Sequence, residues 1–180
     1  MRPFPHPPLP AIFALLGAAA PLGAQSAPTP EPAPWVAADP DARTAALTLE
    51  VTAPQGSPSA VLNGYREGGV QVVVPRGWKV TWDWRSADSA AKHSLVVMAE
   101  REKLPTEGGR PAFTNAMSRN LTAGLPAGQP DHTTFEAEEA GWFWMLCGVP
   151  GHALAGEWIG LRVDPEAKTA AVKKSVKSEQ

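Results

Sequence analysis

The chain has 180 residues, enough for one folded domain with additional terminal segments. Its 16 basic and 18 acidic residues give a net charge of −2 and form no basic stripe, which argues against a nucleic-acid partner. The chain has one cysteine, Cys147, which excludes an internal disulfide framework, a Cys-x-x-Cys motif and a four-cysteine zinc site.

Residues 1–26 have the pattern of a secretory signal peptide. Arg2 supplies the positive charge, residues 11–20 are apolar, and small residues around Ala24 and Ser26 offer a cleavage site. The alternative is a retained anchor, but the apolar stretch is shorter than the ~20 residues that span a bilayer. We therefore expect export to the periplasm or the extracytoplasmic face of the cell envelope, with at most a peripheral membrane association.

Proline-rich and charged segments flank the predicted domain. Eleven of the 20 prolines lie within residues 1–40, and residues 27–43 are predicted to form a stiff, extended spacer. Residues 165–180 hold four lysines and two glutamates, a composition typical of a charged, flexible tail. The folded domain is therefore expected over residues 44–164.

Residues 44–164 are expected to be all-β, because short segments rich in β-branched and aromatic residues alternate with glycine and proline turns. This pattern is typical of an antiparallel sandwich. The interval 101–131 is long and polar, with one possible short helical turn near residues 115–119, and such a loop is usually functional or mobile. Seven strands are predicted, near residues 47–51, 70–74, 79–85, 94–98, 133–137, 142–147 and 158–163.

Cys147 and His152 are candidate metal ligands, since a Gly/Pro loop separates them by only four residues. A single cysteine in an exported protein needs an explanation, and thiolate plus imidazole are the donors of electron-transfer copper sites. The alternative is a buried structural thiol beside a loop histidine. A second imidazole could come from His93, which precedes an apolar strand, or from His132 in a polar loop; we favour His93.

The run from Cys147 to His152, followed by Gly156 and Trp158, resembles the copper loop of the sulfocyanins in the cupredoxin (blue copper) superfamily. Rusticyanin-type proteins carry a similar loop. Upstream, residues 62–65, 70–75 and 78 and the pair His93-Ser94 are also similar to sulfocyanin. The resemblance implies a Greek-key β-sandwich of about eight strands with one type 1 copper ion. By position, it implies His93, Cys147 and His152 as ligands.

Glu157 occupies the position where sulfocyanin-like loops carry the axial methionine. In one interpretation, the Glu157 carboxylate binds copper as a hard oxygen donor. In a second, Glu157 faces solvent and copper is three-coordinate or takes a backbone oxygen. In a third, a methionine from elsewhere substitutes, although Met98 and Met145 are predicted core residues and Met117 has no support from spacing.

The resemblance implies a monomeric electron carrier with no enzymatic turnover, which exchanges single electrons with respiratory-chain donors and acceptors through His152. Val149, Pro150, Ala153 and Leu154 are expected to form an apolar docking patch around it. One alternative is a periplasmic protein that binds and delivers copper without redox turnover. Another is a metal-free interaction domain.

Overall fold

The computed structural model describes Met1 and residues 33–175. The predicted signal peptide, apart from Met1, lies outside the described residues. No α-helix occurs between residues 33 and 175, and no helix long and apolar enough to cross a membrane is found in that part of the chain. The ten strands are β1 (Val36–Asp39), β2 (Thr44–Thr52), β3 (Val61–Leu62), β4 (Val70–Pro75), β5 (Lys79–Ser86), β6 (Val96–Ala99), β7 (Asp131–Glu136), β8 (Gly141–Leu146), β9 (Trp158–Asp164) and β10 (Ala171–Lys174).

The strands form two five-stranded sheets, which confirms the predicted all-β sandwich. One sheet has the order β1-β2-β5-β7, with β3 paired to β2, and the other has the order β10-β4-β9-β8-β6. The prediction that the sandwich is wholly antiparallel was wrong, because β2 pairs with β5 in parallel and β4 with β9 in parallel. After β3 the chain crosses to the second sheet as β4 and then returns to the first sheet as β5. Strand β5 therefore lies beside β2 and runs in the same direction.

The core lies between the sheets and is built by alternation along each strand. In β2, the side chains of Ala45, Leu47, Leu49 and Val51 are buried, while those between them are more accessible. Strand β5 contributes Val80, Trp82 and Trp84 to this core by the same alternation of side chains. A second, smaller cluster of Val96, Trp144, Leu146 and Ala153 lies beside the loop that follows β8.

Strands also occur in both segments predicted to lie outside the domain. The predicted spacer contains β1, which pairs with β2, and the predicted tail contains β10, which pairs with β4. Strands β1 and β10 lie at the edges of the sheets, where pairing with β2 and β4 satisfies their backbone groups, and Val172 in β10 is buried at 6% exposure. The short helical turn expected near residues 115–119 is also absent; Met117 instead forms a β-bridge with Val96.

Candidate metal centre

The β8–β9 hairpin brings Cys147 and Glu157 together at its open end. The ladder ends at the pair Leu146 and Trp158, and the Cys147 backbone N–H then donates to the Glu157 carbonyl at 3.1 Å. Residues ten apart in sequence are therefore held side by side by backbone pairing, and the intervening residues form a loop.

His152 is positioned by hydrogen bonds within that loop. Its backbone N–H donates to the Val149 carbonyl at 3.2 Å, and its carbonyl accepts from the Glu157 N–H at 3.1 Å. Gly151, at φ +83°, takes the left-handed conformation that glycine adopts without strain. Its N–H donates to the Thr106 carbonyl at 2.7 Å, which ties the loop to the long 101–131 interval.

His93 comes from the other side of the site, three residues before β6. It forms a β-bridge with Leu125, in which the two residues exchange backbone hydrogen bonds of 3.1 and 2.7 Å. Gly124 lies so close that an added Cβ would be 2.9 Å from the His93 nitrogen. The long polar loop thus holds the histidine in place, as a functional loop would.

The four predicted ligands are gathered in one cluster, with one potential donor atom from each within 4.8 Å of all the others. The Cys147 Sγ lies 3.6 Å from the His152 Nδ1, which is 3.1 Å from the Glu157 Oε2. The His93 Nδ1 lies 2.9 Å from both Glu157 carboxylate oxygens. His93, Cys147 and Glu157 are buried, while His152 is partly exposed.

The structure bears on the alternatives that the sequence left open. Glu157 is only 3% exposed, so the interpretation in which it faces solvent is wrong. His132, the other histidine considered, lies in β7 on the exposed surface, where its Nδ1 is 2.8 Å from the Asp83 carboxylate. Met145 lies in the main core, as expected.

Hydrogen bonds across the cluster favour the charged form of each of its four members. Burial favours a neutral Cys147 thiol, but hydrogen bonds with His152 and His93 leave its pKa below the ordinary value. Burial likewise opposes the charge on Glu157, yet hydrogen bonds with the two histidines lower its pKa. Burial works to lower the His93 pKa, but hydrogen bonds with Cys147 and Glu157 raise it to about 10. Hydrogen bonds with Cys147 and Glu157 raise the His152 pKa to about 9.

Two polar residues of the site were missed by sequence reasoning. The Ser94 backbone N–H donates to the Cys147 sulfur at 3.4 Å, and its Oγ accepts from the Gly148 N–H at 2.9 Å. The Asp88 Oδ2 accepts from the His93 Nε2 at 2.9 Å. Adjacency to His93 could have pointed to Ser94, but an aspartate in a turn after a strand is too common to single out Asp88.

The long loop packs directly on the cysteine loop. The Gly108 N–H donates to the Gly148 carbonyl at 2.8 Å, and an added Cβ on Gly148 would collide with the Leu121 side chain. A cleft of about 200 Å³ borders the cluster and is lined by Ser59, Asp88, His93, His152 and Glu157 among others. The long loop therefore covers the start of the cysteine loop tightly, whereas His93, His152 and Glu157 border an accessible cleft.

The expected apolar patch around His152 is present only in part. Leu154 is 56% exposed and Pro150 is exposed, with Val149 partly so. Ala153 is fully buried in the second hydrophobic cluster and was wrongly included. Of the four residues predicted for the patch, Val149, Pro150 and Leu154 are therefore accessible.

The donor set has the chemistry of a copper site. One buried thiolate and two imidazole nitrogens are the softer protein donors, and together they form the trigonal arrangement of electron-transfer copper sites. The Nδ1 atoms of both histidines face the cluster. The carboxylate of Glu157 adds a harder donor beside them. The residues present fit one copper ion.

Several solved structures of copper proteins are similar to this chain. Rusticyanin is 15% identical over 76% of this chain and 88% of its own, with a TM-score of 0.46. Auracyanin A from Chloroflexus aurantiacus, described as a blue copper protein, is 16% identical over 66% of this chain and 99% of its own, with a TM-score of 0.45. A copper-containing nitrite reductase from Thermus scotoductus is 18% identical over 68% of this chain but 28% of its own, with a TM-score of 0.47.

A comparison with curated protein sequences gave no match. The family model described as "Sulfocyanin (SoxE) domain" matches residues 33–171, which is most of the chain and includes both β1 and the first residue of β10. The resemblance noted in the cysteine loop thus extends over nearly all of the sandwich, and the chain belongs to the sulfocyanin family of blue copper proteins.

Proposed function

We propose that this protein is an exported carrier of single electrons, in which His93, Cys147, His152 and Glu157 hold one copper ion. Blue copper proteins of this family generally transfer electrons. The observation that carries the proposal is the convergence of these four side chains, from two distant segments, within 4.8 Å. When bound there, copper would supply a one-electron redox couple.

The protein's own contribution is a rigid set of donors. Cys147 and Glu157 are joined by a backbone hydrogen bond, and His93 is held by its bridge to Leu125. Since the donors sit on paired backbone, they change position little when the charge of the site changes. A small structural change lowers the reorganisation that accompanies electron transfer.

Glu157 distinguishes this site from one with a methionine in the same position. A carboxylate oxygen is a harder donor than a thioether sulfur, so it favours the oxidised ion over the reduced one. Its burial at 3% exposure, with both oxygens near His93 Nδ1, supports direct ligation. We therefore propose a reduction potential below that of the same site with an axial methionine.

Electron exchange is proposed to occur through His152, whose side chain is 27% exposed. Val149, Pro150 and Leu154 surround it with exposed or partly exposed apolar surface. Apolar surface of limited extent suits brief contact with a partner protein. The proposed partners are a respiratory-chain donor and acceptor in the periplasm or on the outer face of the envelope, met by a monomer.

Copper delivery is the second candidate function, and the accessible cleft favours it. The cleft lined by His93, His152 and Glu157 offers a route by which copper could enter or leave. A carrier keeps its copper in both oxidation states, whereas a delivery protein releases it in one. Retention of reduced copper against a chelator therefore separates the two functions.

The visible and paramagnetic-resonance spectra of the copper-loaded protein test the proposal. We expect an intense thiolate-to-copper absorption band with one copper ion per chain, and its complete loss in Cys147→Ser. His132→Gln is the matched control, because His132 lies on the surface outside the cluster. A band that is weak in the parent protein, or unchanged in Cys147→Ser, would rule out the proposed site.

A further inference from the structure

The ring of His93 is held at both nitrogens. Its Nδ1 lies 2.9 Å from both Glu157 carboxylate oxygens, and its Nε2 donates to the Asp88 Oδ2 at 2.9 Å. The side chains of His93 and Asp88 line the cleft but are only 2% and 8% exposed, so most of this contact is removed from water. Charge-assisted hydrogen bonds are stronger in such surroundings than on the surface.

Hydrogen bonds within the turn after β5 hold Asp88 in place. Its Oδ1 accepts from the Ala90 backbone N–H at 2.8 Å, which leaves Oδ2 directed at the ring. Its own backbone N–H donates to the Ser86 Oγ at 3.1 Å, at the end of β5. The carboxylate therefore has one oxygen engaged by the turn and the other by the His93 ring.

We propose that Asp88 is a positioning residue for the copper site, which orients His93 through Nε2 and lowers the reduction potential by strengthening His93 as a donor to oxidised copper. The proposal deepens the proposed function and rests on it. A carboxylate bonded to the distal nitrogen of a metal-bound histidine fixes the ring and raises its basicity. A more basic imidazole stabilises the higher charge of the oxidised ion more than that of the reduced ion.

The protein contains a second aspartate–histidine pair that serves as a natural control. Asp83 Oδ1 lies 2.8 Å from the His132 Nδ1, but these side chains are 74% and 65% exposed. Water screens that pair, and His132 lies outside the donor cluster. The Asp83→Asn variant therefore makes the same chemical change in an aspartate–histidine contact of similar length that has no proposed role at the copper site.

The decisive experiment is spectroelectrochemical measurement of the reduction potential of the copper-loaded parent, Asp88→Asn and Asp83→Asn proteins. Loss of an outer carboxylate partner typically costs about 10- to 100-fold in metal affinity. If the loss falls mainly on oxidised copper, each factor of ten raises the potential by ~59 mV. We expect that rise in Asp88→Asn and no change in Asp83→Asn.

The outcomes separate this inference from the proposed function. If the parent shows the thiolate-to-copper band and Asp88→Asn keeps the parent potential, Asp88 has no such role, while the copper site stands. If the parent shows no such band, both proposals fail. A rise in potential confined to Asp88→Asn supports the assignment, because a merely structural contact would alter stability without shifting the potential in one direction.

A second measurement covers the case in which Asp88→Asn does not fold or bind copper. In the parent protein loaded with reduced copper, nitrogen-15 NMR of the histidine rings reports which nitrogen carries a proton. We expect a slowly exchanging, strongly deshielded proton on the His93 Nε2. An unprotonated Nε2, or a proton that exchanges as fast as that of His132, would overturn the assignment.

Discussion

The His93 Nδ1 lies 2.9 Å from both carboxylate oxygens of Glu157, although 64 residues separate the two in sequence. The contact joins the segment before β6 to the end of the β8–β9 hairpin, and it places a carboxylate where similar loops have a methionine. The character of this donor is therefore the property of the site most open to test.

Replacing Glu157 with methionine should raise the reduction potential. The thioether is a softer donor than the carboxylate, and the change also removes a buried negative charge, so oxidised copper loses more stabilisation than reduced copper. A tenfold shift in relative affinity corresponds to ~59 mV, and we expect a rise of at least that size by voltammetry. Glu139→Met, in the exposed turn before β8, is the control. An unchanged potential in Glu157→Met would show that the carboxylate does not bind copper.

Gly124 should be required for the position of His93. Alanine at Gly124 or Gly128 adopts an unfavourable φ, +69° or +76°, at a cost of about 1–2 kcal/mol in either variant. Only at Gly124 does the added Cβ also meet the His93 backbone, at 2.9 Å. We expect copper affinity, measured by competition with a chelator, to fall about tenfold or more in Gly124→Ala alone. Equal affinities in the two variants would contradict this account of the long loop.

Ser94 should stabilise the folded protein through its hydroxyl group. Ser94 is 1% exposed, and its Oγ accepts the hydrogen bond of the Gly148 N–H. Ser94→Ala leaves that buried donor unpaired, which costs about 1–3 kcal/mol in the free energy of unfolding. Urea unfolding of the metal-free protein measures the loss, with the exposed Ser89→Ala as control. Identical midpoints for the two variants would disprove the role of the hydroxyl.

These expectations divide into those that the sequence could support and those that required the fold. Short runs rich in β-branched and aromatic residues between turns are a local signal, and each of the seven segments predicted from them contains a strand in the structure. Strand β1 was missed because it lies in a proline-rich segment, β10 because it lies in a charged segment and pairs with β4, which is distant in the chain, and β3 because it has only two residues. The parallel pairs were missed for a related reason, since alternation is the same whichever way the neighbour runs.

The residues of the site also divide into those that the sequence could identify and those that required the fold. Cys147, His152 and Glu157 lie in one short segment, and His93 was selectable because the chain contains only four histidines. Asp88 is one of many carboxylates, and its role depends on burial and on the direction of one oxygen atom, which no spacing rule encodes. The burial of Ala153 likewise could not be predicted from the sequence, because it depends on packing in the cluster with Trp144 and Leu146.

Electron exchange should depend on the surface beside His152. Pro150→Lys places a charge in that apolar surface and should slow electron self-exchange, measured by NMR line broadening in mixed oxidation states, while the copper spectrum stays unchanged. Pro165→Lys is the matched control, because Pro165 is exposed just after β9, at the far end of that strand from Glu157. Equal exchange rates in the two variants would place the docking surface elsewhere.

The metal-free protein should lose stability as the pH rises. The pKa values of His93 and His152 are raised to about 10 and about 9, so the folded protein holds these protons more tightly than the unfolded chain. This stabilisation is complete below the unfolded histidine pKa of about 6.5 and is lost as the pH rises through the folded values. The lowered pKa of the Cys147 thiol makes stability increase with pH instead, but this is one group against the two histidines.

We therefore expect the melting temperature of the metal-free protein to fall as the medium is taken from neutral pH to beyond the two raised histidine pKa values. Calorimetry over that series measures the effect. The Glu157→Gln variant should show a smaller fall, since it lacks the carboxylate that hydrogen-bonds to both histidines. A melting temperature that is flat or increases over this range would contradict the charge assignment.

The most direct test of the central claim is a spectroelectrochemical titration of the protein loaded with one copper ion, carried out with a copper(I) chelator in solution. We predict that the thiolate-to-copper band disappears on reduction and returns fully on oxidation, with the ~59 mV per decade slope of a one-electron couple. Release of copper to the chelator on reduction, with no return of the band, would contradict an electron carrier and identify a protein that delivers the metal.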